Sequence, residues 1–140
     1  RDITEQEAMP LIEKITGAVT KHVLIAEDEP HIAKLYEEFI KEYGYKTTVC
    51  KDGKQALDAF NDPNNHFDLL LTDQAMPNIT GKELSIILLN KVPKLPIIMC
   101  TGYSEVISEE LAEDIGIKKY FLKPASLNKL MQAIDNLLKE

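Results

Sequence analysis

Leu69-Leu70-Leu71-Thr72-Asp73, running on into Gln74-Ala75-Met76-Pro77-Asn78, is the stretch that decides the fold. Three apolar residues lead straight to a carboxylate and then to a segment that must turn. An apolar run of this length suits a strand covered on both faces, as in a parallel sheet. Such a strand ends at Asp73 and delivers that acid to the C-terminal edge of the sheet, where ligands and chemistry collect in open α/β folds.

Outward from this strand the same alternation repeats. His22-Val23-Leu24-Ile25-Ala26 is a short apolar strand followed by Glu27-Asp28-Glu29-Pro30, with Pro30 suited to the first position of a helix. Ile32, Leu35, Tyr36, Phe39, Ile40 and Tyr43 recur at helical spacing, and Gly44 stops that helix. Lys46 to Cys50 is a β-branched strand, Asp52-Gly53 a turn, and Ala56, Leu57 and Phe60 mark a short helix closed by Asp62-Pro63. Thr80-Gly81 opens a helix over Lys82 to Asn90, and Ile97 to Cys100 is a buried strand ending at Thr101-Gly102. A weaker helix is expected from Glu105 to Asp114, anchored by Val106, Ile107 and Leu111. Lys118 to Leu122 is a fifth strand, and Ser126 caps a last helix with Leu127, Leu130, Met131, Ile134, Leu137 and Leu138 at 3.6-residue spacing. Five strands alternating with five helices predict a doubly wound α/β fold with a parallel sheet. With strand order 2-1-3-4-5, strands 1 and 3 flank the switch point. Cys50 and Cys100 then stand three strands apart, about 14 Å, too far to bridge.

The totals narrow the function classes. The 140 residues suit one domain, and 44% hydrophobic content supports a core. A net charge of -7 argues against nonspecific contact with nucleic acid or an anionic membrane. No apolar run approaches the ~20 residues that span a bilayer. Two thiols read as reduced and buried fit a cytoplasmic location. Residues 1–21 read as a linker or the edge of a preceding domain, and 22–140 as the folded module; Arg1 in place of Met suggests a piece of a longer chain.

The strand ends gather Glu27, Asp28 and Asp73 with Thr101 and Lys123. Alone, Glu27-Asp28-Glu29 is an ordinary solvated charge run and Lys123 an ordinary surface lysine; their places at successive strand ends change that reading. Three ionised acids in one cleft repel each other and call for a cation, and an all-oxygen set selects a hard one such as Mg²⁺. Asp28 and Asp73 are the expected direct ligands, Glu27 acts through a water, and the backbone carbonyl of Ala75 completes the set. A metal and Lys123 supply positive charge, Thr101 can donate to a phosphoryl oxygen, and an Asp carboxylate can be the nucleophile that forms an aspartyl phosphate.

Taken together, Glu27-Asp28-Glu29-Pro30, Thr72-Asp73-Gln74-Ala75-Met76-Pro77, Thr80-Gly81, Thr101-Gly102 and Lys123-Pro124 resemble the receiver domain of two-component response regulators, over about 119 residues from His22 onward. Each motif is weak by itself; their order at successive strand ends is specific. The resemblance implies a flavodoxin-like receiver fold in which Asp73 takes a phosphoryl group from a phosphohistidine on a histidine kinase or histidine phosphotransfer protein. It implies that Lys123 binds that group, that Thr101 senses it, that Tyr120 turns inward as Thr101 moves, and that the Lys123–Pro124 bond is cis. It places Ala75 and Tyr103 beside the path of attacking water, where they tune the phosphoryl lifetime. The helix 4/strand 5/helix 5 face is expected to carry the signal and to be a surface for self-association. One departure is Glu27, where the family often has Asp.

The run from Thr72 to Gly81, with Cys100-Thr101-Gly102-Tyr103-Ser104, looks like receivers attached to hybrid sensor histidine kinases, whose parent chains can be membrane-anchored. The module itself is expected to be a phosphorelay station, not a turnover enzyme. Two alternatives stand beside this reading. One is a pseudo-receiver that is never phosphorylated. The other is a phosphatase of the haloacid dehalogenase type, which would need a second Asp where Ala75 stands.

Overall fold

The computed structural model describes residues 4, 6–8, 10–11, 20–102 and 107–139. Five parallel strands, β1 (His22–Ala26), β2 (Lys46–Cys50), β3 (Leu69–Asp73), β4 (Ile97–Thr101) and β5 (Lys119–Leu122), form one sheet in the order β2-β1-β3-β4-β5. The helices between and after them are α1 (Pro30–Glu42), α2 (Gly53–Asn61), α3 (Gly81–Lys91), α4 (Glu109–Ile115) and α5 (Leu127–Leu138). Alternation and strand order are those the sequence predicts.

The continuous apolar run of β3 is explained by two cores. Leu70 joins Leu24, Ala26, Ile97 and Met99 on one face, against Ala56 of α2, Leu84 and Leu88 of α3 and Ala112 of α4. Leu69 and Leu71 join Val23, Ile25, Ile98 and Cys100 on the other, against Tyr36 and Ile40 of α1 and Leu130, Met131 and Ile134 of α5. Successive side chains point to opposite faces, so a strand with helices on both sides needs apolar residues at every position. All five residues of β3 are buried. Cys50 and Cys100 are free thiols that belong to opposite cores, and burial pushes them up to about 11 and 12.

Local chemistry sets the element ends. Glu29 caps α1 by accepting from the His31 N–H at 3.2 Å, and Gly44, at φ 97°, takes the chain out of that helix. Asp52 caps α2, Thr80 and Glu83 form a reciprocal capping box on α3, and Ser126 caps α5.

Two details differ from the sequence reading. α4 begins at Glu109, not Glu105; residues 107 and 108 are not helical, and Ser108 accepts from the Leu111 N–H at 3.0 Å. Of the expected anchors Leu111 is 38% exposed, Ile107 is partly buried, and Val106 lies outside the described residues. Ala112 is the residue of α4 that is buried. On α1, Leu35 and Tyr43 are exposed, because Ala33, Tyr36 and Ile40 form the buried stripe.

Candidate functional site

Four of the five strands, β1, β3, β4 and β5, bring side chains to the C-terminal edge. The Glu27 N–H donates to the Cys50 carbonyl at 3.0 Å, which extends the β1–β2 ladder by one residue and holds Glu27 in the sheet, 2% exposed. Asp28 is exposed. β3 delivers Asp73, 4% exposed, and β4 delivers Thr101, fully buried. The Lys123 N–H donates to the Thr101 carbonyl at 2.8 Å, so Lys123 leaves β5 in register with the end of β4. The Lys123–Pro124 bond is cis, as the resemblance implies.

These side chains meet. One carboxylate oxygen from each of Glu27, Asp28 and Asp73 lies within 4.8 Å of the others. Lys123 Nζ donates to Glu27 Oε1 at 2.8 Å and stands 3.1 Å from Asp73 Oδ1. Glu27 Oε2 accepts from the Glu29 N–H at 3.1 Å. Asp73 Oδ1, in contrast, is buried and has an ion-pair contact but no aligned hydrogen bond.

Electrostatics follow from that packing. Burial pushes the Glu27 and Asp73 carboxyls above their ordinary range; Lys123 pulls both back without cancelling the effect. For Lys123, burial acts downward, but the hydrogen bond and charge of Glu27 and the charge of Asp73 outweigh it and hold the ammonium above its usual value. Three acids against one ammonium leave the cleft short of positive charge.

The residues fit a hard cation. Two oxygens on opposite sides of Mg²⁺ stand about 4.2 Å apart, so ligand atoms within 4.8 Å need only small side-chain adjustments. The buried Oδ1 of Asp73, whose contact with Lys123 is an ion pair without an aligned hydrogen bond, has lone-pair capacity that such an ion would satisfy. Glu27, already engaged by Lys123 and the Glu29 N–H, has less free capacity, in keeping with an indirect role.

The loop after Asp73 is held by residues that carry no chemistry, whose structural role the sequence alone does not show. Gln74 brackets the start of α3: its carbonyl accepts from the Gly81 N–H at 2.9 Å and its side-chain Oε1 from the Lys82 N–H at 2.8 Å. A Cβ on Gly81 would collide with the Asp73 carbonyl, and one on Gly53 with the Ile79 carbonyl. The available signal was a glycine at the first position of both α2 and α3, immediately after a capping residue. Ala75 is half-buried in this loop. Tyr120 is half-buried, and its hydroxyl donates to the Ile107 carbonyl at 2.6 Å. Tyr103 lies outside the described residues.

Known proteins are similar to this chain in sequence and fold. The profile of the response regulator receiver domain matches residues 23–135. The polar-differentiation response regulator DivK of Brucella abortus is 30% identical over 122 residues, covering 86% of this chain and 98% of that protein. Hybrid signal transduction histidine kinase I of Dictyostelium discoideum is 30% identical over 131 residues, 87% of this chain but only 8% of the kinase. Among solved structures, the response regulator TrrA of Thermotoga maritima in complex with Mg²⁺-BeF superimposes with a TM-score of 0.75 at 29% identity, covering 85% of this chain and all of that one. With acids at the ends of β1 and β3, a lysine after β5 and a profile match across the whole sheet, this chain belongs to the response regulator receiver domain family of two-component signalling.

Proposed function

We propose that Asp73 is the phosphoacceptor of a phosphorelay, taking a phosphoryl group from a phosphohistidine on a histidine kinase or histidine phosphotransfer protein. The observation that carries this reading is the buried Oδ1 of Asp73, 3.1 Å from the Lys123 ammonium and in a cluster with Glu27 and Asp28 whose ligand atoms lie within 4.8 Å of one another. An Asp73 carboxylate oxygen attacks phosphorus; the P–N bond breaks, its electron pair stays with the departing imidazole, and an acyl phosphate forms. Asp28 and Asp73, with the Ala75 carbonyl and Glu27 through a water, hold Mg²⁺. When bound, the ion neutralises the acids and orients the phosphoryl oxygens. Lys123 shifts from bridging Glu27 and Asp73 to balancing the new charge. The transfer is a half-reaction: the group then hydrolyses or passes on.

Thr101 reads the phosphoryl group, and its movement draws the segment that leads to α4. Tyr120 is the second switch residue, and its hydroxyl bond to Ile107 ties β5 to the lead-in of α4. Phosphorylation adds roughly -2 of charge at one point, and α4, with few buried residues, is the element with least to lose by rearranging. The α4–β5–α5 face therefore carries the signal. A groove of about 690 Å³ runs there, lined by Glu109 and Glu113 of α4 and by Lys118, Lys119 and Lys129. None of these five forms an ion pair among the described residues, which suits a charged partner or a second copy of this chain. Ala75 and Tyr103 border the approach of water and set the phosphoryl lifetime. The parent is a hybrid histidine kinase, a reading supported by the Dictyostelium relative.

Incubation with a small phosphodonor and Mg²⁺ tests the core of this proposal. Wild type should gain one phosphoryl group by intact mass, and Asp73→Asn none. Equal labelling of both, or labelling of neither, rejects Asp73 as acceptor. Amide exchange on the beryllofluoride complex should change across α4, β5 and α5; changes confined to α1 and α2 reject the switch face.

A further inference from the structure

Gly53 stands 20 residues before Asp73 and takes no part in the chemistry, yet its place in the fold is tight. It is the first residue of α2, directly after the cap Asp52, and it is buried. Its φ is not in the left-handed region, which among the described glycines holds Gly44 and Gly116. A backbone conformation that any residue adopts leaves close approach as the reason for glycine. A Cβ there would collide with the Ile79 carbonyl oxygen, lie 2.7 Å from Ile79 Cβ and 3.0 Å from its carbonyl carbon. Two of these three atoms are backbone, so no rotamer change relieves the overlap.

Which side yields is decided by how each is held. The start of α2 is doubly tied: Asp52 Oδ1 accepts from the Gln55 N–H at 2.7 Å, and Gln55 Oε1 accepts from the Lys51 N–H at 3.1 Å. Ala56, one turn further, is fully buried. The opposing segment, Gln74 to Thr80, is a loop closed on itself. Gln74 holds its two ends together through Gly81 and Lys82, and a turn with Asn78 at φ 71° sits just before Ile79. The loop has its own anchor in the core, Met76, with Ile79 packed on the same cluster, but Ala75 is only half-buried and lies within the ring that Ile79 helps to close, so a shift at Ile79 reaches it.

We propose that Gly53 is a positioning residue for the cation site: by leaving room for the Ile79 carbonyl it lets α2 brace the loop after Asp73, and so sets where the Ala75 carbonyl stands. The proposal rests on the reading of that carbonyl as a Mg²⁺ ligand. Mg²⁺ demands near-ideal octahedral geometry, so a ligand displaced by a few tenths of an ångström weakens binding while the fold survives.

The test compares wild type, Gly53→Ala and Gly44→Ala by Mg²⁺ titration calorimetry, thermal melting without metal, and amide exchange of residues 74–80. Gly44 also sits at an element end, but its φ is 97° and a methyl added there would meet nothing within 4 Å, so its alanine variant strains the backbone far from the loop. The expected result is a Mg²⁺ Kd raised roughly tenfold in Gly53→Ala, with faster exchange in the loop. Gly44→Ala should melt lower than wild type yet bind Mg²⁺ as wild type does. Wild-type Mg²⁺ affinity in Gly53→Ala overturns the inference, as does an equal loss of affinity in Gly44→Ala. Should Gly53→Ala not fold, Gln74→Leu removes the acceptor of the Lys82 N–H and loosens the same ring from its other end; it should raise the Kd in the same direction, and an unchanged Kd rejects the bracing. If wild type binds no Mg²⁺, the cation reading fails first. Loop exchange in the metal-free proteins then decides the bracing by itself: faster exchange in Gly53→Ala supports it, and identical exchange rejects it.

Discussion

Lys123 is the residue on which the charge balance of the cleft depends. It is the ammonium that touches both Glu27 and Asp73. Removing one partner of a buried pair leaves the other charge uncompensated, so Lys123→Met should destabilise the metal-free protein by about 3 kcal/mol, measurable by urea unfolding. Asp73→Asn should do the opposite. Burial raises the Asp73 carboxyl above its unfolded value, so the native state binds its proton more readily than the unfolded chain does. That contribution to stability is complete below the ordinary carboxylate range, about pH 4, and is lost as pH rises through the raised folded value. Asparagine does not ionise, so in Mg²⁺-free buffer the variant should melt higher than wild type at pH 7, by about 4 °C for each kcal/mol gained, with the gap closing toward pH 4. A lower melting point for Asp73→Asn at pH 7 would mean that the attraction of Lys123 outweighs desolvation. The identities of Glu27, Asp28, Asp73, Thr101 and Lys123 as neighbours were legible in the sequence, because strand ends in a parallel sheet share one edge. The preference of Lys123 for Glu27 was not, since it depends on side-chain packing at the tenth-of-an-ångström level.

Among the elements, α4 and α5 differ most. Five residues of α5 are buried, against Ala112 alone in α4. Leu130→Ala should cost about 2–5 kcal/mol and Leu111→Ala well under 1 kcal/mol, with amide exchange in α4 the faster of the two. The sequence reading found both helices but began α4 at Glu105; apolar periodicity over a few residues says little about a start, and the decisive cue was the cap Ser108 followed by Glu109 and Glu110. The strand β1 carries a pH dependence of its own at its first residue. His22 is half-buried, its Nε2 2.7 Å from Thr48 Oγ1 and its ring packed on Phe67, beside Lys46, Asp68 and His66. Burial first, and then Lys46, lowers its pKa. For a lowered histidine the unfolded state takes the proton first, so the stability His22 contributes is full above the unfolded value near 6.5 and declines as pH falls below it. His22→Asn should remove that component: the difference in urea midpoint between variant and wild type should shrink from pH 7.5 to pH 5.5.

At the scale of the whole molecule, the two cores and the five-strand order follow from alternation, apolar runs and the right-handedness of crossovers, and these were legible. The turn after Asp73 and the helix start at Thr80-Gly81 were legible as well; the packing of residues 74–80 between two helix starts was not, because close approach leaves no periodic trace, and only the paired glycines hint at it. The hydroxyl of Tyr45, just before β2, bonds to the Asp135 carboxylate near the end of α5. That bond places the close of α5 at the pole where β1 and β2 begin, while Asp73 and Lys123 occupy the other. Both covalent leads, into His22 and out of Leu138, therefore attach at the far pole from the acids, about 17 Å away along a five-residue strand. A folded domain fused before Thr20 or after Lys139 should leave small-donor phosphorylation within about twofold of the free module, whereas the same domain inserted at Asn78 should abolish it. The module resembles a lamp wired from its base: a domain joined at either end sits at the far pole and leaves the acid-bearing edge uncovered.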